Sequence, residues 1–343
     1  MLKNFLEQKK PLIKNKKIAV TFGDPSGIGP EVCLKAVSQL YAQQSHQPDY
    51  TVYIIGRQEI AEKYYNGLLN PFTIKTISAN EISEHIPVKG ELYFLENEYK
   101  YPMPVIGEGT VETALESKQY IDLAIDLCRN KVVDAMVTGP VSKSLIEKTG
   151  IKFMGHTEYI AEQIGENSPY MMMFSGKYRV LLTTTHYPVF DLKNLVNEES
   201  IYRTIITADS ALTKIDGRKP LIAVAGLDPH CGDDGAIGAF DRDITSRAIA
   251  RAVTEGINAV GPISADTLFI ARKWEKFSVV IAHYHDQGLI PFKMLAFEDG
   301  VNVTLGLSII RTSVDHGTAF DIAGRNIASC GSMVEAIQLA SKL

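Results

Sequence analysis

The sequence predicts an α/β protein with a mixed, mostly parallel sheet. Two observations carry that prediction. Short apolar runs alternate with stretches of helical period along 343 residues, the rhythm of strand–helix–strand units. One pair of runs, "YMMMFSGKYRVLLTTTH", reads instead as a hairpin turning at Ser175–Lys177, which makes the sheet mixed.

Taken in order, residues 1–16 form a polar leader before a first strand, "KIAVTF" (17–22). A glycine-rich turn follows, then a helix from about Pro30. "TVYIIG" (51–56) and the weaker "ELYFLE" (91–96) are strands. Residues 110–129 read as a long helix with Ala114, Ile121, Ala124, Ile125 and Cys128 on one face. "VVDAMVTG" (132–139) is another strand. "HTEYIAEQIG" is a short helix with Thr157 as N-cap and Gly165 as its stop. A helix at 198–215, the strand "LIAVAG" (221–226), a helix at 241–255 and the strand "SVVIA" continue the pattern. A helix at 287–297, the short strand "VNVTLG", the apolar segment "LSIIRTS" and a helix at 332–342 complete it.

Composition narrows the function classes. A content of 45% hydrophobic and 22% charged residues is that of an ordinary globular protein. The net charge of −5 argues against a nucleic-acid surface. The four cysteines are far apart, with no zinc-ribbon or disulfide spacing, and read as reduced thiols of a cytoplasmic protein. The N-terminal stretch lacks a secretory pattern, and no apolar run reaches membrane-spanning length.

The polar residues carry the chemistry. Strands end in "TTTH", "AGLDPH" and "AHYHD", delivering His186, His230 and His285. In open α/β sheets ligands bind beyond the carboxyl ends of strands, so three imidazoles there suit one divalent metal with open positions. His283 and His285 fall on opposite faces if the strand runs through them, and His285 is the better ligand. Asp286 either orients that imidazole or caps the following helix. Lys293, Asn302 and Arg311 supply a point charge, an amide and a guanidinium fork, suited to a small phosphorylated acid. "GDPSGIGPE" (23–31) lacks the third glycine of a dinucleotide fingerprint. It is either an anion cradle or a tight strand-to-helix turn.

The motifs "GDPSGIGPE", "VTGPVSK", "GHTEYIAE", "TTTHYP", "GLDPHCGDDGAIG", "YHDQGLIPFK" and "GVNVTLGLSIIRTSVDHGTAFDIAG" occur in this order from about residue 17 to 328. In them the chain resembles the 4-hydroxythreonine-4-phosphate dehydrogenase (PdxA) family. The resemblance implies an isocitrate/isopropylmalate dehydrogenase-like three-layer α/β/α fold over residues 17–343, as two intertwined subdomains with a cleft between them. It implies a homodimer with the active site at the subunit interface and metal ligands drawn from both chains. It further implies oxidation of 4-phosphooxy-L-threonine at C3 by NAD, or NADP, with one Zn²⁺, Mg²⁺ or Co²⁺ per site. Decarboxylation then leaves 3-amino-2-oxopropyl phosphate, a step toward pyridoxal phosphate. Relatives within the family act on 4-phospho-threonate or 4-phospho-erythronate instead.

By motif, the implied metal ligands are His186, His230 and His285. The implied substrate contacts are His156, Thr157, Lys293, Asn302 and Arg311. Asp286, Lys293 and His156 are candidates for taking the alcohol proton, with Asp286 and Lys293 the catalytic pair expected. Asp228 stands where the family often has asparagine, and adds a charge near the expected metal.

Overall fold

The structure is a computed structural model that describes residues 15–42, 49–166, 169–296 and 298–343. The expected leader lies almost wholly outside the described residues. Twelve strands form one sheet: β1 (Lys16–Thr21), β2 (Tyr50–Ile55), β3 (Thr73–Ile77), β4 (Glu91–Leu95), β5 (Ala135–Thr138), β6 (Tyr170–Ser175), β7 (Tyr178–Leu182), β8 (Ile222–Ala225), β9 (Ala259–Ile263), β10 (Val279–Ala282), β11 (Val301–Leu305) and β12 (Ile310–Val314). Their spatial order is β3-β4-β2-β1-β5-β12-β11-β6-β7-β10-β8-β9.

The pairing is parallel from β3 to β12 and again from β7 to β9. Between these blocks β12, β11, β6 and β7 pair antiparallel in succession. Three reversals in a row leave the two parallel blocks running in opposite directions. The carboxyl ends of β5 and of β7 therefore point to opposite ends of the sheet. The expected hairpin is present, with Ser175 paired to Tyr178 across a two-residue turn.

Local sequence explains the elements. The Val111–Arg129 helix buries Ala114, Ile121, Ala124, Ile125 and Cys128, the five residues of the apolar stripe. It opens on a capping box, in which Thr110 accepts from Thr113 N–H and the Thr113 hydroxyl accepts from Thr110 N–H. The helix Gly331–Lys342 returns the chain's last residues to the first block, packing on β12, β5 and β1. One large apolar core underlies the sheet. A second one gathers Val180, Leu182, Val280, Ala282, Trp274, Leu289 and Phe292.

The glycine-rich turn after β1 is a tight turn stitched to its neighbours. A Cβ on Gly29 would lie 1.7 Å from the Phe22 carbonyl oxygen, and Asp24 N–H donates to Pro140 O. The Asp24 carboxylate is buried and turned inward, accepting from Ser26 N–H and the Ser26 and Thr113 hydroxyls. An acid in that position makes the turn a packing device rather than an anion cradle.

Candidate active site

In β11 Asn302 and Thr304 alternate with apolar residues, and the period of two puts them on one face, as it does Arg311 and Ser313 on either side of Thr312 in β12. The register aligns them in two cross-strand rows. Thr138, Ser313, Asn302 and Met173 stand side by side, as do Arg311, Thr304 and Met171 in the next row. These rows lie at a pocket of about 360 Å³, lined by Thr138, Ser313, Asn302, Met173, Met171 and Arg311 among others. The pocket thus sits over the antiparallel seam, across the face of the sheet. The three histidine-bearing strands, β7, β10 and β8, are mutually parallel and share a carboxyl edge, and His186 and His285 reach the pocket from beyond it.

Two helices help wall the pocket. The His285–Leu295 helix presents His285, Leu289 and Lys293 to it, at positions i, i+4 and i+8 of one face. Gly288 lets this helix settle on the sheet, since a Cβ there would come within 2.8 Å of Val180 and 2.9 Å of Leu182. The His156–Ile164 helix brings His156, Thr157 and Glu158. Its N-cap is Gly155 rather than Thr157, because Gly155 carries the extended backbone that precedes the first turn. Thr157 is thereby released from capping, and its hydroxyl turns to Thr304 at 3.3 Å. Gly165 ends the helix in the left-handed conformation, as expected.

Arg311 is the electrostatic centre. Only 2% of it is exposed, yet among the described residues no carboxylate forms an ion pair with it. Its Nε and Nη2 donate to the Thr138 hydroxyl, and its Nη1 donates to Thr304 and Thr157. Burial pulls the guanidinium down to about 9, with Glu158 opposing from a distance. It stays charged at neutral pH, and a buried, unpaired cation is costly unless an anion joins it. Lys293 pairs with Asp315 at 3.3 Å. Burial raises the Asp315 carboxyl, and Lys293 partly offsets this. The Asn302 amide oxygen and the His156 Nε2 are buried and have no hydrogen-bond partner among the described residues. Burial, reinforced by Arg311 and Lys143, holds the His156 imidazole well below its ordinary value, so the ring is neutral.

Of the three histidines expected to share a metal, one chain brings two together. The His186 and His285 rings lie 5.8 Å apart, centre to centre. Each engages a carboxylate at Nδ1, Glu158 at 3.4 Å and Asp286 at 2.7 Å. Among the described residues neither Nε2 has a hydrogen bond, the arrangement in which a carboxylate orients a metal-binding imidazole. The donor set therefore fits a divalent cation with two ligands from this chain. His230 does not line the pocket. It is 66% exposed, with Asp266 at 3.9 Å from its Nδ1. Among the described residues no group of three or more His, Cys, Asp and Glu is gathered to hold a metal. His230 sits in the loop after β8, where His230, Cys231, Asp233 and Asp234 all take positive φ. The Asp228 carboxylate accepts from Phe240 N–H, and the buried Asp241 carboxylate accepts from Leu227 and Asp228 N–H. Asp228 is thus committed to shaping this loop.

The remaining expected residues divide. His156, Thr157, Lys293, Asn302 and Arg311 all line the pocket. Asp286 does not; it is mostly exposed, beside His285, and the N-cap position belongs to Tyr284. His283 is fully buried, with Nε2 on the Ala225 carbonyl, because β10 ends at Ala282 and the ring tucks beneath the neighbouring strand. Sequence reasoning passed over Thr138, Lys143, Glu158, Ser313, Thr304 and Asp315. The alternation within "VNVTLG" was the available signal for Thr304, whereas Arg311, Thr312 and Ser313 are three polar residues in a row and gave none for Ser313.

The fold is of the isocitrate/isopropylmalate dehydrogenase-like α/β type. A β-decarboxylating dehydrogenase from Thermococcus kodakarensis shares the fold at a TM-score of 0.52 and 16% identity, over 94% of this chain and 82% of that one. Residues 48–340 match the family model described as pyridoxal phosphate biosynthetic protein PdxA, and the chain belongs to that family. It is 36% identical over 337 residues to a 4-hydroxythreonine-4-phosphate dehydrogenase from Trichlorobacter lovleyi, covering 95% of this chain and 97% of the relative. A protein provisionally named D-threonate 4-phosphate dehydrogenase, from Bradyrhizobium diazoefficiens, is 35% identical over 340 residues, 96% of this chain and 97% of its own. The crystal structure of 4-hydroxythreonine-4-phosphate dehydrogenase from Klebsiella pneumoniae superposes at a TM-score of 0.80 with 32% identity, over 95% and 98% of the two chains.

Proposed function

We propose that this protein oxidises the C3 alcohol of 4-phosphooxy-L-threonine with NAD and a divalent metal. Hydride passes to the nicotinamide and the hydroxyl proton to a protein base. The resulting 3-keto acid loses CO₂, leaving 3-amino-2-oxopropyl phosphate on the way to pyridoxal phosphate. The observation that carries this reading is Arg311, buried among hydroxyls with no counter-ion among the described residues and lining a pocket shared with Lys293, Lys143 and Asn302. That is a place prepared for an anion.

His186 and His285 would hold the metal, with His230 supplied by a second copy of the chain. This is the homodimer reading, with the site between copies and over the seam of two interlocked subdomains. A divalent cation supplies Lewis acidity there, easing loss of the alcohol proton and stabilising charge as CO₂ departs. Arg311, Asn302 and Thr157 fix the charged ends of the substrate and so aim its C3 hydrogen. His156, neutral and unpartnered, offers a hydrogen bond beside them. Lys293, steadied by Asp315, is the base candidate within the pocket, while Asp286 orients His285.

A second reading has support of its own: oxidation of 4-phospho-threonate or 4-phospho-erythronate. The pocket's two carboxylates, Glu158 and Asp315, are already engaged by His186 and Lys293, so a substrate ammonium meets no unengaged acid. The deciding experiment follows NADH formation with 4-phosphooxy-threonine and 4-phospho-threonate side by side, across Zn²⁺, Mg²⁺, Co²⁺ and Mn²⁺. Preference for the amino acid supports the first reading and preference for threonate the second. No reduction with any phospho-hydroxy acid would overturn both.

A further inference from the structure

Thr138 is the last residue of β5, and its hydroxyl is the hub of the Arg311 cluster. Its Oγ1 accepts from Nε at 3.3 Å and from Nη2 at 2.8 Å of the same guanidinium. A hydroxyl carries two lone pairs and one hydrogen. With both lone pairs facing Arg311, which has nothing to accept with, the hydrogen is directed away from it. Among the described residues no acceptor takes that hydrogen, and Thr138 lines the pocket.

We propose that Thr138 is a direct ligand of the bound phosphate, donating its hydroxyl hydrogen to a phosphate oxygen while its lone pairs hold the Arg311 fork against the same group. This rests on the reading that the pocket takes a phosphorylated acid. Thr304 plays the positioning part alone, accepting from Nη1 at 3.2 Å and sharing a contact with Thr157 at 3.3 Å.

The choice of residue type gives the arrangement its selectivity. A carboxylate at 138, 157 or 304 would neutralise Arg311 and repel an incoming anion. Three neutral hydroxyls fix the guanidinium in place and leave its charge uncancelled. Such a cage favours a phosphate dianion over a singly charged carboxylate, since the Coulombic gain scales with ligand charge.

The test uses the full-length protein and inorganic phosphate, with acetate at matched ionic strength as control. The wild type is expected to melt at higher temperature in phosphate and not in acetate. Thr138→Val keeps the shape but not the hydroxyl, and should lose most of that shift. Its KM for the phosphorylated substrate should rise about tenfold or more, the worth of a hydrogen bond to a charged group. Thr138→Ser restores the hydroxyl and should restore both within about twofold. Thr138→Ala provides the same comparison should the valine variant fail to fold. A phosphate shift unchanged in Thr138→Val or Thr138→Ala would overturn the proposal, as would its absence in the wild type. A Thr138-dependent shift without NADH formation on any phospho-hydroxy acid would refute the dehydrogenase reading alone. NADH formation with an unaltered shift in the variants would refute the Thr138 assignment alone.

Discussion

Arg311 shows how one residue sets stability against function. Its charge is held out of water by hydroxyls only, and an unpaired buried ion costs several kcal/mol. Arg311→Met should therefore abolish measurable turnover while stabilising the ligand-free protein by about 1–4 kcal/mol, read as a higher urea midpoint. A midpoint that falls would show that the cluster stabilises the fold. His156 makes a pH prediction at the same scale. Its folded-state value is depressed, so the unfolded chain takes up a proton that the native ring refuses. Stability attributable to His156 is complete above the unfolded value of about 6.5 and is lost progressively as pH falls below it. His156→Asn should flatten the melting-temperature profile between neutral pH and pH 5; an unaltered slope would assign the loss elsewhere.

At the scale of elements, the sequence was most legible where strands are buried on both sides. The apolar runs of β2, β5, β8 and β10 each locate a strand to within a few residues. The two strands without such a run, β3 and β9, are the outermost pair in the sheet. β3, Thr73–Ile77, buries only Ile77 completely, and β9, Ala259–Ile263, only Ala259, so neither has a core to advertise. The same logic hid Thr138 and Thr304: a hydroxyl inside an apolar strand reads as packing until the register shows which face it shares. The loop carrying His230 was opaque for another reason, since a run of left-handed residues has no periodicity to read. The capping box offers a test of element stability. Thr110→Ala removes an acceptor for Thr113 N–H and should cost ~1 kcal/mol in urea unfolding, with Thr110→Ser restoring it.

At the scale of the whole molecule, the sheet's two parallel blocks could each have been inferred from strand–helix alternation, but their opposed directions could not. That relation depends on β11 and β12 returning from late in the chain to pair beside β5. If His230 completes the metal site from a second copy, metal affinity should depend on protein concentration. Equilibrium dialysis with Zn²⁺ should show binding weaken on dilution into the monomer range, and His230→Ala should bind weakly at every concentration. Concentration-independent binding by the wild type would place all ligands in one chain.

The return of β12 has a consequence during synthesis. Until residues 310–314 emerge from the ribosome, β5 presents an open edge, with its hydrogen-bonding groups and the apolar ground of β1 and β5 uncovered. Everything between Thr138 and Ile310 is made while that edge waits. Nascent chains halted before β12 should be bound by chaperones that recognise exposed strands, and released chains of that length should aggregate. The seam that forms the pocket thus closes only after β11 and β12 are made, and the chain lacks the Arg311 cluster until then.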